Sequence, residues 1–185
     1  LRLACSGSRL ARRSWTPSGA RGRRGERPSG RRSITWPDGR VESFEPYVIP
    51  TQSVLFPIIW PSGVGFTPVP PATSTLRAIG TTPGYFSGGI GVGDLVDLFT
   101  FAPYDPTGYV LTTNDGTIYT FAGGWNSRTA KLQSIQDTNG NTVQFTSNGV
   151  IHSAGKSVLF ARDAQGRITQ ITDPIGQVTQ FTYGD

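Results

Sequence analysis

Cysteine occurs once in the 185 residues, at Cys5, histidine once, at His152, and methionine not at all. A single thiol forms no disulfide within the chain, and one cysteine with one histidine falls short of the usual zinc ligand sets. No run of about 18 apolar residues is present, which excludes a membrane-spanning helix. Charged residues are 16% of the chain, against a usual ~25%. With one imidazole and no paired acids, neither a nucleophile beside a base nor a general acid–base couple stands out. No catalytic residue, cofactor or metal is therefore expected, and His152 reads as a structural or solvent-facing side chain. The missing methionine, at position 1 included, predicts a piece of a longer polypeptide.

Glycine and proline are plentiful instead, 24 and 14 residues, which favours many turns and few helices. The net charge of +5 divides unevenly along the chain. Residues 1–33 hold ten Arg against the single acid Glu26, whereas residues 34–185 hold seven basic and eleven acidic side chains. The first segment is dominated by Arg, Ser, Gly and Pro, which bury too little apolar surface to offset the ordering of a chain. Residues 1–33 are accordingly expected to form a disordered, Arg-rich arm. An arm of this kind attracts phosphates, so nucleic-acid binding is one alternative role for it.

From Ile34 onward, short β-rich runs alternate with turn dipeptides. Asp38-Gly39 and Asp115-Gly116 each separate two such runs, and Asn139-Gly140 and Asn148-Gly149 add two further turns. Tight hairpins with positive φ at the central pair are expected there. Residues 34–108, rich in Pro and Gly, read as an extended wrapping segment with hairpins. Asp94–Phe101 is the one place where a turn of helix would fit. Gly88 to Gly93 suggests a phosphate-cradling loop, but no Lys-Ser or Lys-Thr follows, so a plain turn is expected.

Residues 109–185 contain a ten-residue unit that recurs without gaps. Asp163 to Thr172 is followed directly by Asp173 to Thr182, and Asp137 to Thr146 is a third copy. Asp stands at the first place, Gly at the fourth (Gly140, Gly166, Gly176), Gln at the eighth (Gln144, Gln170, Gln180) and an apolar residue at the ninth (Phe145, Ile171, Phe181). The aspartates Asp137, Asp163 and Asp173 can accept hydrogen bonds from their own turns, Gly admits a left-handed backbone, and six strand residues follow. Alternation then places Gln and Thr on one face of an antiparallel meander and Phe and Ile on the other. A water-facing Gln/Thr ladder is expected. The recurring aspartates lack the Gly placement and bidentate Glu of a calcium loop.

Gly166 to Asp185 resembles the roughly twenty-residue repeat of the YD-repeat, or rearrangement-hotspot (Rhs), proteins. Lys131 to Phe145 is similar to it, and Tyr109 to Phe121 is similar to the strand pair that precedes such arrays. The resemblance implies an all-β fold, an antiparallel β-hairpin meander of YD-type repeats within a larger β-shell, with the disordered N-terminal arm ahead of it. It also implies a bacterial secreted or cell-surface protein whose shell encloses a toxic C-terminal segment. Its partners would be the remainder of the same shell and that cargo. A carbohydrate-binding surface module is the alternative from another class, with Tyr119, Trp125 and Tyr183 as the rings that would stack on sugars.

Overall fold

The structure, a computed structural model, describes residues 2–6, 30–50, 59–89, 92–125 and 127–184. Fifteen strands and no helix occur among them: β1 (Arg2–Ser6), β2 (Arg31–Thr35), β3 (Val41–Pro50), β4 (Ile59–Val69), β5 (Thr75–Ile79), β6 (Pro83–Gly89), β7 (Val92–Asp97), β8 (Gly108–Thr112), β9 (Ile118–Ala122), β10 (Thr129–Gln136), β11 (Thr142–Thr146), β12 (Gly149–His152), β13 (Ser157–Arg162), β14 (Ile168–Thr172) and β15 (Val178–Gln180). Each pairing is antiparallel, as the all-β meander expectation requires.

Eight strands curl into a small barrel. Its ladder path runs β4-β3-β2-β1-β10-β9-β8-β5, and β5 returns against β4, its sequence neighbour across the Pro70-Pro71 turn. Alternation turns one residue in two inward. Leu3, Ile34, Phe44, Phe66, Leu76, Tyr109, Leu111, Phe121 and Ala130 make a single buried core. Phe66 of β4 meets the Tyr109 ring of β8 edge-on at 6.1 Å, which packs together the two strands that flank β5. Burying side chains of this size contributes about 1.5–3 kcal/mol each, so the barrel is the main store of hydrophobic stability here.

β10 is the branch point of the sheet. One of its edges follows β9. Its other edge is shared, Thr129 and Ala130 pairing with β1 and Ser134 to Gln136 with β11. A bulge between Leu132 and Ser134 sits where the strand leaves the barrel, consistent with the added twist and bend that bulges supply. Beyond it, β11 to β15 continue as a ribbon one layer thick.

The arm expected over residues 1–33 is corrected at both ends. Arg2–Ser6 forms β1 and Leu3 is fully buried. Arg31 to Ser33 belong to β2, where Arg32 is 1% exposed. Composition averaged over the segment concealed two short runs that fit a ladder. The arginine-rich stretch between them lies outside the described residues.

Prolines enter strands where the ladder does not need their missing N–H. Pro46 and Pro50 lie in β3 beyond the residues that pair with β2. Asp94–Phe101 holds no helix: β7 runs to Asp97, and a single turn follows in which the Phe101 N–H donates to the Asp97 carbonyl at 2.9 Å. The Asp97 side chain holds this turn by accepting from the amides of Phe99 and Thr100. Phe101 is left-handed there, at φ 58°. The Gly88 to Gly93 stretch is the β6–β7 hairpin, whose tip lies outside the described residues.

Candidate functional site

The three repeat turns share one construction. Asp137 Oδ1 accepts from the amides of Asn139 and Asn141 at 2.9 and 2.8 Å. Asp163 does the same with Gln165 and Arg167 at 3.0 and 2.8 Å, and Asp173 with Ile175 and Gln177 at 2.9 and 2.8 Å. In each, the fourth-place Gly amide donates back to the Asp carbonyl. Gly140, Gly166 and Gly176 have φ of 85°, 80° and 87°. These are three-residue hairpin loops, a type I turn closed by a left-handed glycine. Two-residue loops with a positive-φ pair were expected from Asn139-Gly140. Only the glycine takes positive φ, because the Asp carboxylate already satisfies the amides that the tighter loop would leave free.

The same loop recurs where the ten-residue unit does not. The amides of Trp36, Thr113 and His152 donate to the carbonyls of Arg40, Thr117 and Lys156, with Gly39, Gly116 and Gly155 left-handed in fourth place. His152 stands in for the aspartate, its Nδ1 accepting from the Ala154 amide at 3.0 Å. Gly at every fourth place is the sequence signal that finds these loops. The Asn148-Gly149 turn is shifted by one residue: Thr146 pairs with Gly149, so the loop is Ser147-Asn148.

Hydrogen bonds hold two repeat aspartates in the charged form. The Asn141 side chain, followed by the turn amides, keeps the Asp137 carboxyl below its ordinary 3.8. Arg167 does so for Asp163, its Nε donating to Asp163 Oδ2 at 2.7 Å. The Arg167 guanidinium also lies 4.5 Å from the centre of the Tyr183 ring, and the Tyr183 hydroxyl donates to the Ile168 carbonyl at 2.7 Å. Arg167, which the sequence reading passed over, thus ties the Tyr183 ring to an aspartate twenty residues earlier.

The register places Gln170 opposite Gln180 and Ile171 opposite Thr179, with Phe160 beside Ile171. Val150 lies between Phe145 and Val158 on the apolar face. Gln144 is flanked by Ser134 and Ile151 on the other. The polar ladder is therefore interrupted. Between the first repeat unit and the second, β12 and β13 set Ile151 and Leu159 on the Gln/Thr face. Both faces of the ribbon are partly open, with Phe145 and Phe181 exposed on one and Leu159 and Val178 on the other.

The aromatic residues do not form one surface. Trp125 is 5% exposed, packed against Phe66 and Tyr104 with the Arg32 guanidinium 4.4 Å above its ring. Arg32 closes that end of the barrel by donating to the Trp125 carbonyl at 2.8 Å and the Tyr109 hydroxyl at 3.2 Å. Tyr183 lies on the ribbon, and Tyr119 at the opposite mouth of the barrel, edge-on to Trp36 at 5.4 Å.

That mouth is a cleft of about 370 Å³. Trp36, which follows β2, Glu42 of β3 and Tyr119 of β9 line it together with Arg40 and Asp115 of the adjoining turns. Glu42 is 4% exposed, yet its Oε2 finds no hydrogen-bond partner among the described residues, nor does Trp36 Nε1. Leaving such a group unpaired costs about 1–3 kcal/mol, more when it is charged. The nearest cation is the Arg40 guanidinium, 3.6 Å from the other Glu42 oxygen and 5.1 Å from the centre of the Trp36 ring.

No group of three or more His, Cys, Asp or Glu side chains positioned to hold a metal ion occurs among the described residues. No curated protein and no solved structure matches the chain. Residues 162–185 match the family model described as RHS Repeat. The match covers β14 and β15 and the Asp163 and Asp173 turns that define them, so this end of the chain is similar to an RHS repeat.

Proposed function

We propose that this chain is a structural segment of a bacterial secreted or cell-surface shell, a wall that encloses a toxic C-terminal segment of the same polypeptide and performs no catalysis itself. The observation that supports this reading is the thrice-repeated Asp-to-Gly turn. Each copy satisfies its own backbone, so another strand can be added without a second layer or a helix. A ribbon that grows in this way covers area cheaply in residues, as a wall must. Its partners are further units of the same shell and the enclosed segment.

The test is protease protection in the full polypeptide. Cleavage of the enclosed C-terminal segment should be slow with native turns and fast when Gly140, Gly166 and Gly176 are all changed to Val. Equal cleavage rates in the two proteins would refute the wall reading.

A further inference from the structure

We propose that the outer edge of β15 pairs with the same edge of a second copy of this chain, giving a two-fold dimer whose sheet runs from one copy into the other. β15 and β7 are the two ends of the sheet path. The β7 end is covered: Val96 bridges to Pro103, and the Tyr104 and Asp97 amides donate to the Leu95 and Ala102 carbonyls at 3.0 and 2.9 Å. Among the described residues no strand lies on the outer side of β15.

The hydrogen-bond phase shows what that edge offers. The Asp173 amide donates to the Gln177 carbonyl and the Phe181 amide to the Thr169 carbonyl, both at 2.9 Å. Gln177, Thr179 and Phe181 therefore carry the bonds that face β14, because bonded and non-bonded pairs alternate along an antiparallel ladder. The N–H and C=O groups of Val178 and Gln180, and of Thr182 in the same alternation, point away from β14. Natural sheets guard such an edge with charge or proline. Gln177 to Tyr183 contains neither, and every residue of β15 is exposed.

The edge is complementary to itself. Two-fold pairing centred on Gln180 sets Val178 of one copy opposite Thr182 of the other and Gln180 opposite Gln180, so every outward group of this stretch finds a partner. Phe181, 43% exposed in the single copy, then comes opposite Thr179 of the other copy in a close, non-hydrogen-bonded pair, where aromatic and β-branched side chains pack well. The facing Gln180 amides each hold a donor and an acceptor and can bond each other. Such an interface is isologous and uses up the bare end of the path, so assembly stops at two copies. Pairing at this edge is independent of any enclosed segment.

The experiment is sedimentation velocity of the 185-residue chain under reducing conditions, which keep Cys5 from linking copies, joined to amide hydrogen exchange at low and high protein concentration. A monomer–dimer equilibrium is expected between about 1 µM and 1 mM. The amides of Val178, Gln180 and Thr182 should exchange at least about tenfold more slowly in the dimer, while those of Thr179 and Phe181, already facing β14, should change little. Gln180→Pro removes an N–H that the β14 ladder does not use and should weaken the dimer at least about tenfold. Gln180→Lys sets like charges opposite each other, should weaken it at low salt, and replaces the proline chain if that one fails to fold. The proposal is overturned if the native chain stays monomeric over that range, if it forms a series of larger species, if a dimer forms without protecting those amides, or if a folded variant dimerises like the native chain.

Discussion

Substituting the repeat glycines separates two costs that are usually mixed. At Gly166, φ is 80° and an added Cβ meets nothing within 4 Å, so Gly166→Ala introduces no clash. Its cost is conformational, about 1–2 kcal/mol for an L-residue in the left-handed region. Restriction of the unfolded chain returns about 0.4–1 kcal/mol. The expected net loss is thus about 1 kcal/mol, or roughly 2–4 °C in Tm for a chain of this size. Asn tolerates the left-handed region better, so Gly166→Asn should cost less than Gly166→Ala. At Gly149, φ is 154° and an added Cβ would press on the Val158 carbonyl oxygen. That oxygen belongs to the neighbouring strand and cannot move aside without disturbing the β12–β13 ladder. Overpacking then adds about 1–3 kcal/mol to the conformational cost. Urea and thermal unfolding of the three substituted chains should therefore rank Gly149→Ala as most damaging, Gly166→Ala next and Gly166→Asn least. Equal losses at Gly149 and Gly166, or Asn no better than Ala, would refute this account of the turns.

Asp163→Ala removes the acceptor of two turn amides and the anchor of Arg167; a lower midpoint in urea unfolding is expected, by analogy with helix caps that serve the same purpose. The depressed carboxyls of Asp137 and Asp163 contribute their full stabilisation above pH 3.8 and lose it as pH falls through their folded values. Tm should accordingly drop below about pH 4 in the native chain, and by a smaller amount in an Asp137→Asn, Asp163→Asn double substitution. Leu3→Ala, at a fully buried position, should cost about 2–5 kcal/mol and broaden the tryptophan near-UV circular dichroism; no measurable loss would show that β1 is not part of the barrel.

The ribbon was readable because its determinants are local. Asp at the first place and Gly at the fourth specify a turn by hydrogen bonds that reach four residues at most, and alternation sets the faces. The barrel was not readable, since its closure depends on pairings such as Leu3 with Ala130 and Thr75 with Thr112, far apart in sequence. Arg32 shows the difficulty well: in a stretch of ten arginines, nothing local marks the one whose guanidinium is buried between Tyr109 and Trp125. Glu42 is similar, an acid in an ordinary alternating strand until register turns it inward beside Trp36. The polar ladder is interrupted because β12 and β13, which lie outside the repeat units, interleave Ile151 and Leu159 with its strands.

A ribbon one layer thick has little core of its own, and a growing sheet is vulnerable at its first edge. β10 meets both problems at once. Its first two residues pair with β1 to close a barrel filled with Leu3, Phe44, Tyr109 and Phe121, and its last three pair with β11 to open the ribbon. The bulge between Leu132 and Ser134 lets one strand serve both geometries. The apolar burial that the repeats lack is thereby concentrated upstream of them and linked through an unbroken ladder. Weakening the barrel at Leu3 should consequently loosen β11 and β12, whose residues never touch Leu3, and amide exchange along the ribbon would register it.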